Sequence, residues 1–384
     1  MNGPRRDPAA LAPLVRVRDA SLTPEGGPVR VTVSRLSSPE AVAEALAAAG
    51  ARSRVEDGRL TTVTTPSRLV DAAGRTLGRP VADALERALT GALAAWYGPP
   101  PDVELSSGRL PCRRRTVVMG ILNVTPDSFS DGGRFYDPAD HPGLAVEHGR
   151  WLATAGADLV DVGGESSRPG AMPVPEDEEL RRVLPVVEAL AGEGIQISID
   201  TTKAAVARAA TEAGATVVND VSAGAIDGLM LPTVAQLGVG YVLMHMRGTP
   251  RTMQRDPAYA DVVGEVFDFL GEGLERCADS GVDLERVIID PGIGFGKTVE
   301  HNLMLLRRLR EFTSLGRPVL VGTSRKSFLG RVTGGLSELE RMEASVASAA
   351  VAVAHGAAMV RVHDVTETVR AVQVARAIAT GGSS

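Results

Sequence analysis

Aromatic residues are scarce in this chain, at 3% for Phe, Trp and Tyr together, and its formal net charge is -6. A mildly acidic chain with so few rings lacks the basic stripe and stacking platforms that gripping nucleic acid requires. Cysteine is scarce too. Cys112 and Cys277 stand far apart, which excludes a CxxC metal or redox site and predicts two free thiols in a reducing compartment, the cytoplasm. No His/Cys cluster has zinc spacing. No apolar run reaches the roughly eighteen residues of a membrane span. The richest stretch, Val346–Val360, is mostly alanine and is broken by His355 and Gly356. Residues 1–19 hold Arg5 and Arg6 but no apolar run of signal-peptide length. What is plentiful is ordinary: 44% hydrophobic and 23% charged residues over 384 positions, enough for one large domain and a small one.

Residues 1–20 show no periodicity and read as loose chain. Residues 21–97 read as a small α/β domain. Val29-Arg-Val-Thr-Val alternates like a half-buried strand, Ser38-Pro39 opens an Ala-rich helix that Gly50 ends, Leu60-Thr-Thr-Val-Thr is a second strand, and Val81–Tyr97 is a second helix. Gly98-Pro-Pro-Pro and Ser106-Ser-Gly mark residues 98–115 as a linker. From Thr116 to Gly381 a regular alternation begins. Short β-branched runs occur at Thr116–Val124, Leu159–Gly163, Gln196–Asp200, Thr216–Val221, Tyr241–Met246, Val287–Asp290, Pro318–Gly322 and Ala358–Val362. A helical pattern follows each: Gly143–Ala155, Asp177–Ala191, Thr202–Ala213, Gly228–Leu237, Tyr259–Ser280, Val299–Leu315, Glu338–Ala354 and Thr366–Ala379. Eight such units over residues 116–381 predict a (β/α)8 TIM barrel. An open doubly wound sheet would usually have fewer strands and a glycine-rich turn after the first. Here the first strand runs into Asn123-Val-Thr-Pro-Asp instead.

Chemistry in such a barrel sits at the C-terminal ends of the strands. In order, those ends offer Asn123, then Gly163-Gly-Glu-Ser-Ser-Arg168, Asp200, Asn219-Asp220, Met244-His-Met-Arg, Asp290, Ser324-Arg-Lys326 and Arg361-Val-His363. Asp200, Asn219 and Asp290 can accept hydrogen bonds from a nitrogen heterocycle. Arg361, His363, Lys326, Arg325 and Arg168 can hold a dianion. One mouth lined this way suits a flat nitrogen ring that carries a phosphate group. The alternative, that these charges merely pair with each other, stays open at this point. Two look-alikes are set aside. Gly296-Lys-Thr resembles the end of a P-loop, but position 291, where the motif needs glycine, is Pro. Glycines 292, 294 and 296 do not match the dinucleotide fingerprint. His245 reads as core packing, and His141, His148, His301 and His355 as surface or packing residues. Ser167 has no sequence-local base to make it a nucleophile.

Gly120-Ile-Leu-Asn-Val-Thr-Pro-Asp-Ser-Phe-Ser-Asp-Gly-Gly133 resembles the first signature of the dihydropteroate synthases, and Asp161-Val-Gly-Gly-Glu-Ser-Ser-Arg-Pro-Gly170 resembles the second. Ser198-Ile-Asp-Thr, Val218-Asn-Asp, Asp290-Pro-Gly-Ile-Gly-Phe-Gly-Lys, Ser324-Arg-Lys-Ser-Phe and Arg361-Val-His-Asp follow in the family order. The resemblance implies a pterin-binding TIM barrel that joins (7,8-dihydropterin-6-yl)methyl diphosphate to p-aminobenzoate, with sulfonamides as inhibitors, Mg2+ as cofactor and a homodimer as the assembly. It implies pterin contacts from Asp200, Asn219, Met244, Asp290, Phe295, Gly322, Lys326 and Arg361. The p-aminobenzoate contacts would be Phe129, Ser167, Arg168, Pro169 and Ser327. Asn123, Arg361 and His363 would hold the diphosphate, with Asn123 also on the metal. Asp127, Lys326, Arg361 and His363 would act in catalysis.

The chain departs from the family pattern in having Ser at 167 where Thr is usual, Ile at 293 where Phe is common, and about 115 residues before the first signature. Two other readings share the pterin pocket. A methyltetrahydrofolate:corrinoid methyltransferase would not need the loop after the first strand or the Ser-Arg-Lys and Arg-Val-His groups. A non-catalytic pterin-binding paralogue would be free to lose them.

Overall fold

A computed structural model describes residues 12–20, 27–125, 142–166, 171–249 and 251–382. The chain forms two compact units, one of Met1–Pro99 with Arg310–Gly316, the other of Pro100–Leu309 with Arg317–Ser384. Among the described residues no helix is long and apolar enough to cross a membrane.

The first unit is a four-stranded antiparallel sheet of β1 (Leu14–Ala20), β2 (Val29–Ser34), β3 (Arg52–Glu56) and β4 (Arg59–Thr64), in the order β1-β2-β4-β3, with helices α1 (Pro39–Ala48), α2 (Pro66–Leu77) and α3 (Arg79–Tyr97). Val15, Val17, Val31, Val33, Leu46, Leu60, Leu69, Leu85 and Leu89 form its core. This corrects the reading of residues 1–20 as loose for the part that is described, Leu14–Ala20. Val15 and Val17 are buried in β1, and Arg16 between them ion-pairs with Glu311 of the same unit (3.5 Å). The alternation was present, but arginine filled its polar positions. The segment expected as one helix, Val299–Leu315, stops at Arg307 and resumes as a 3-10 turn at Leu309–Leu315. Ser314 Oγ there accepts from the Val17 amide (3.1 Å).

The second unit opens with a hairpin, β5 (Val103–Leu105) and β6 (Gly108–Leu110), inside the segment expected to be a linker. Its Val103, Leu105 and Leu110, with Cys112, pack on Val117, Met119, Leu159, Val217, Val242, Ile288, Leu320 and Met359. Most of those residues begin barrel strands, so the hairpin seals the N-terminal mouth and leaves chemistry to the other end. Replacing Leu105, only 7% exposed, by Ala should cost about 2–4 kcal/mol, because the strand starts cannot collapse into the void. A lowered urea midpoint at constant slope would show it. A midpoint unchanged from wild type would mean that the hairpin does not brace the barrel.

The barrel strands are β7 (Val117–Asn123), β8 (Leu159–Gly163), β9 (Ile197–Asp200), β10 (Val217–Asp220), β11 (Gly240–Met244), β12 (Val287–Asp290), β13 (Leu320–Val321) and β14 (Met359–Val362). All pair in parallel, in the order β12-β11-β10-β9-β8-β7-β14-β13. A parallel bridge between Ile289 and Val319 closes the ring. Helices α4 (Gly143–Thr154), α5 (Glu176–Gly192), α6 (Ala204–Glu212), α7 (Met230–Leu237), α8 (Val262–Asp279), α9 (Val299–Arg307), α10 (Ser327–Val332), α11 (Met342–Ala354) and α12 (Val365–Thr380) surround it. The TIM barrel expected from the alternation is therefore present, with one short extra helix, α10, after β13. Both cysteines are free and buried, and burial pushes each thiol up to about 12. Neither is a thiolate at neutral pH, so neither is a nucleophile.

Candidate active site

Side chains alternate in and out along each strand, and the parallel register brings the inward groups to one level. Asn219 stands beside Asp200, Gly163 beside Asp200, and Met244 beside Asp290. Asp200, Asn219, Met244 and Asp290 are all buried there. Arg361 on β14 reaches across. Its Nε donates to Asp161 Oδ2 (2.5 Å) and its Nη2 to Asp200 Oδ2 (2.7 Å). Asn219 Nδ2 donates to the same Asp161 oxygen (2.9 Å). Asp161 is the organising acid, and the sequence reading passed over it as part of a motif. The signal lay in the strand period: two residues before Gly163, it must face the same way.

The pocket is electrostatically tense. Burial pushes the Asp200 carboxyl up to about 7; Arg361 opposes this, and Asp161 adds to it. Burial also raises Asp290, against the pull of Lys326. Asp290 Oδ1 accepts from the Gly292 amide (2.7 Å). Lys326 is lowered to about 8, chiefly by burial, with Asp290 opposing. Its Nζ donates to the Ile293 carbonyl and lies 4.7 Å above the Phe295 ring. Gly322 sits between the two cations: a Cβ there would lie 3.7 Å from Arg361 Cβ and 3.8 Å from Lys326 Nζ. Among the described residues Asp161 Oδ1 is buried without a hydrogen-bond partner, an acceptor left over for a ligand or a water.

Beside the carboxylates lie groups suited to an anion. His363 Nδ1 is 3.0 Å from Ser324 Oγ, which also accepts from the His363 amide (3.1 Å). Asn123 ends β7, in register with Gly163. Ser327 starts α10 and is exposed. Arg325 is a correction. Expected among the dianion donors, it instead commits its guanidinium to Asp364 through Nη2 (2.6 Å) and Nε (3.2 Å). A cavity of about 360 Å³ opens on Asp200, Thr201 and Val221. Lys203 at its edge bridges Glu165 and the buried Glu179, a pair that the sequence reading also missed. Asp127, Phe129, Ser167, Arg168 and Pro169 lie outside the described residues. The histidines set aside as packing residues fit that reading: His148 stacks on Trp151, His301 completes a helix cap, and His355 contacts the Leu306 carbonyl. His141 is outside the described residues.

Comparison with known proteins places the barrel in a family. Residues 119–363 fit the model of the pterin binding enzyme family. Dihydropteroate synthase of Escherichia coli K12 is 47% identical over 261 residues, covering 68% of this chain and 90% of the relative. The Yersinia pestis dihydropteroate synthase, solved with a sulfonamide drug complex, superposes with a TM-score of 0.69 at 42% identity, over 73% of this chain and 99% of that one. The Burkholderia cenocepacia enzyme, complexed with 7,8-dihydropteroate, gives 0.65 at 45% identity over 73% and 98%. With the barrel, the buried acids and the opposed cations in place, the chain belongs to the dihydropteroate synthase family of pterin-binding enzymes.

Proposed function

We propose that this chain condenses (7,8-dihydropterin-6-yl)methyl diphosphate with p-aminobenzoate. The aryl amine forms a bond to the methylene carbon, the C–O bond to diphosphate breaks, and the amine loses one proton. The products are 7,8-dihydropteroate and diphosphate. The observation that carries this reading is the convergence of Asp161, Asp200, Asn219, Asp290, Lys326 and Arg361 on one mouth. A ring with several N–H donors finds acceptors there, and a departing dianion finds cations.

In this reading Asp200, Asn219 and Asp290 hold the pterin edge. Met244 and Phe295 pack on the ring, and Gly322 lets it approach. Lys326 spans the pterin and p-aminobenzoate regions. Arg361 presents its guanidinium face for stacking and, with three of its five N–H groups beyond the two Asp bonds, a route to the diphosphate. Its dual commitment keeps the guanidinium fixed, so no reorganisation is needed when negative charge develops on the leaving group. Asn123 and His363 hold the rest of the diphosphate. Asp127 supplies a carboxylate against positive charge on the methylene. Phe129, Ser167, Arg168, Pro169 and Ser327 hold p-aminobenzoate and exclude the water that would otherwise capture that carbon.

The residues fit Mg2+ of a particular kind. Among the described residues no cluster of three His, Cys, Asp or Glu could hold a metal, and Asn123 offers one hard oxygen. One protein oxygen suffices where Mg2+ arrives with a phosphate ligand and keeps several waters. When bound, it would neutralise charge on the diphosphate. Two free buried thiols suit a cytoplasmic enzyme. Exposed Val351, Val374 and Ile378 on α11 and α12 offer an apolar face to a homodimer.

The test is diphosphate release with product mass analysis. We expect dihydropteroate only when both substrates are present, inhibition by a sulfonamide that p-aminobenzoate relieves, and loss of turnover in EDTA that Mg2+ restores. Diphosphate release without p-aminobenzoate incorporation would sink the assignment. Full turnover in EDTA would remove the metal.

A further inference from the structure

The Gly296-Lys-Thr look-alike has a different use in this fold. Lys297 is 3% exposed, and its four hydrogen-bond partners are all neutral acceptors. Its Nζ lies 2.8 Å from the Gly292 carbonyl, 3.0 Å from the Phe295 carbonyl, 2.9 Å from His245 Nδ1 and 3.5 Å from the His245 carbonyl. Burial and then Lys297 itself drive the His245 pKa well below the usual imidazole value, and in the neutral tautomer that carries its proton on Nε2 the Nδ1 accepts from the lysine amine.

The loop between β12 and α9 is built around this amine. Five consecutive carbonyls each accept from a side chain: Gly292 from Lys297, Ile293 from Lys326, Gly294 from Gln254 (2.6 Å), Phe295 again from Lys297, and Gly296 from Tyr259 (2.8 Å). The Gly294 amide donates to Asn302 Oδ1 (2.7 Å). The backbone also lies directly on the segment after β11. A Cβ at Gly292, at φ +67°, would fall 1.9 Å from the His245 carbonyl oxygen. One at Gly296, at φ +66°, would fall 2.5 Å from that of Arg247. Both positions therefore require glycine. A carbonyl shut away from water needs a donor from the protein, and Lys297 supplies one to both Gly292 and Phe295.

We infer that Lys297 is a positioning residue: its buried amine gathers the Gly292 and Phe295 carbonyls and so sets the loop that places Phe295, the Ile293 carbonyl and Lys326 against the pterin ring. The inference rests on the pterin reading of the site. The amine does not touch the reacting atoms. It acts through the loop, so its removal should weaken pterin binding more than p-aminobenzoate binding, which the loop reaches only through Lys326.

The experiment is steady-state kinetics on the full chain with Lys297→Met, which keeps the stem and removes the donor. KM for the pterin diphosphate should rise about tenfold or more, the scale expected when a contact wall is displaced, while KM for p-aminobenzoate stays within about threefold. Tyr259→Phe removes only the donor to the Gly296 carbonyl, and should shift the same constant in the same direction by less. A folded Lys297→Met variant with the wild-type pterin KM overturns the inference. If that variant does not fold, an unshifted pterin KM in Tyr259→Phe overturns it, and a raised one supports it. A wild-type chain that forms no dihydropteroate overturns the functional reading, and this inference with it; an active wild type beside an unshifted variant removes this inference alone.

Discussion

Arg361→Met is expected to lower kcat/KM by about a thousandfold and to destabilise the protein by about 3 kcal/mol. The first figure follows from losing a preorganised cation aimed at developing negative charge. The second follows from leaving Asp161 and Asp200 buried without their shared partner, since breaking a buried pair from one side costs far more than the pair's net worth. Asp161 is fully buried and Asp200 nearly so, and the Arg361 side chain joining them is 20% exposed. The two effects separate in a double variant. Adding Asp161→Asn removes one stranded charge and should recover part of the stability in urea unfolding, yet none of the activity. If Arg361→Met turns over within tenfold of wild type, or if the double variant recovers turnover, the guanidinium is a structural clamp and its place in the chemistry is lost.

Much of this site was legible because a barrel turns sequence order into geometry. Once eight strand-helix pairs are recognised, the last residue of each strand must reach the same rim, and Asp200, Met244 and Asp290 do. What escaped was set by pairing rather than order. Asp161 sits inside a strand; the strand period faces it inward, but its role comes from its bonds to Arg361 and Asn219. Arg325 carries the same charge as Lys326 next to it, but at φ +55° its side chain turns to Asp364. Lys297 looked like part of a failed phosphate motif because nothing in a linear pattern announces a carbonyl cage. In the first unit β1 was missed because arginines occupy the alternate positions of Leu14-Val-Arg-Val-Arg. The edge strand β3 was missed because Val55 is the lone apolar residue in Arg52–Glu56, and α2 because its polar residues and Gly74 mask the buried stripe of Leu69, Ala72 and Ala73.

Asp200→Asn is expected to cost about 10³–10⁴-fold in kcat/KM for the pterin diphosphate. It keeps the side-chain volume but can turn a donor toward ring N–H groups that need an acceptor, the kind of mismatch that buried polar sites reject most strongly. The pH profile gives an independent reading. With Asp200 pushed up to about 7 and Lys326 lowered to about 8, the competent form, carboxylate plus ammonium, is most abundant between those values. Wild-type kcat/KM should fall about tenfold per unit below pH 7 and again above pH 8. Asp200→Asn should lose the acid limb and keep the alkaline one. Stability should move the opposite way. A carboxyl whose folded pKa is raised from 3.8 to about 7 favours folding fully below pH 3.8, and that contribution is lost as pH rises to 7. The asparagine variant has no such loss, so its stability relative to wild type should climb between pH 4 and 7 and level off above. A variant that retains the acid limb would assign that limb to another group. A stability difference flat across this window would mean that Asp200 is ionised at an ordinary pKa in the fold. The opposite signs carry the physical point: on the proposed reading, an acid that the fold would rather keep protonated is held at the mouth as the acceptor for the ring's N–H groups.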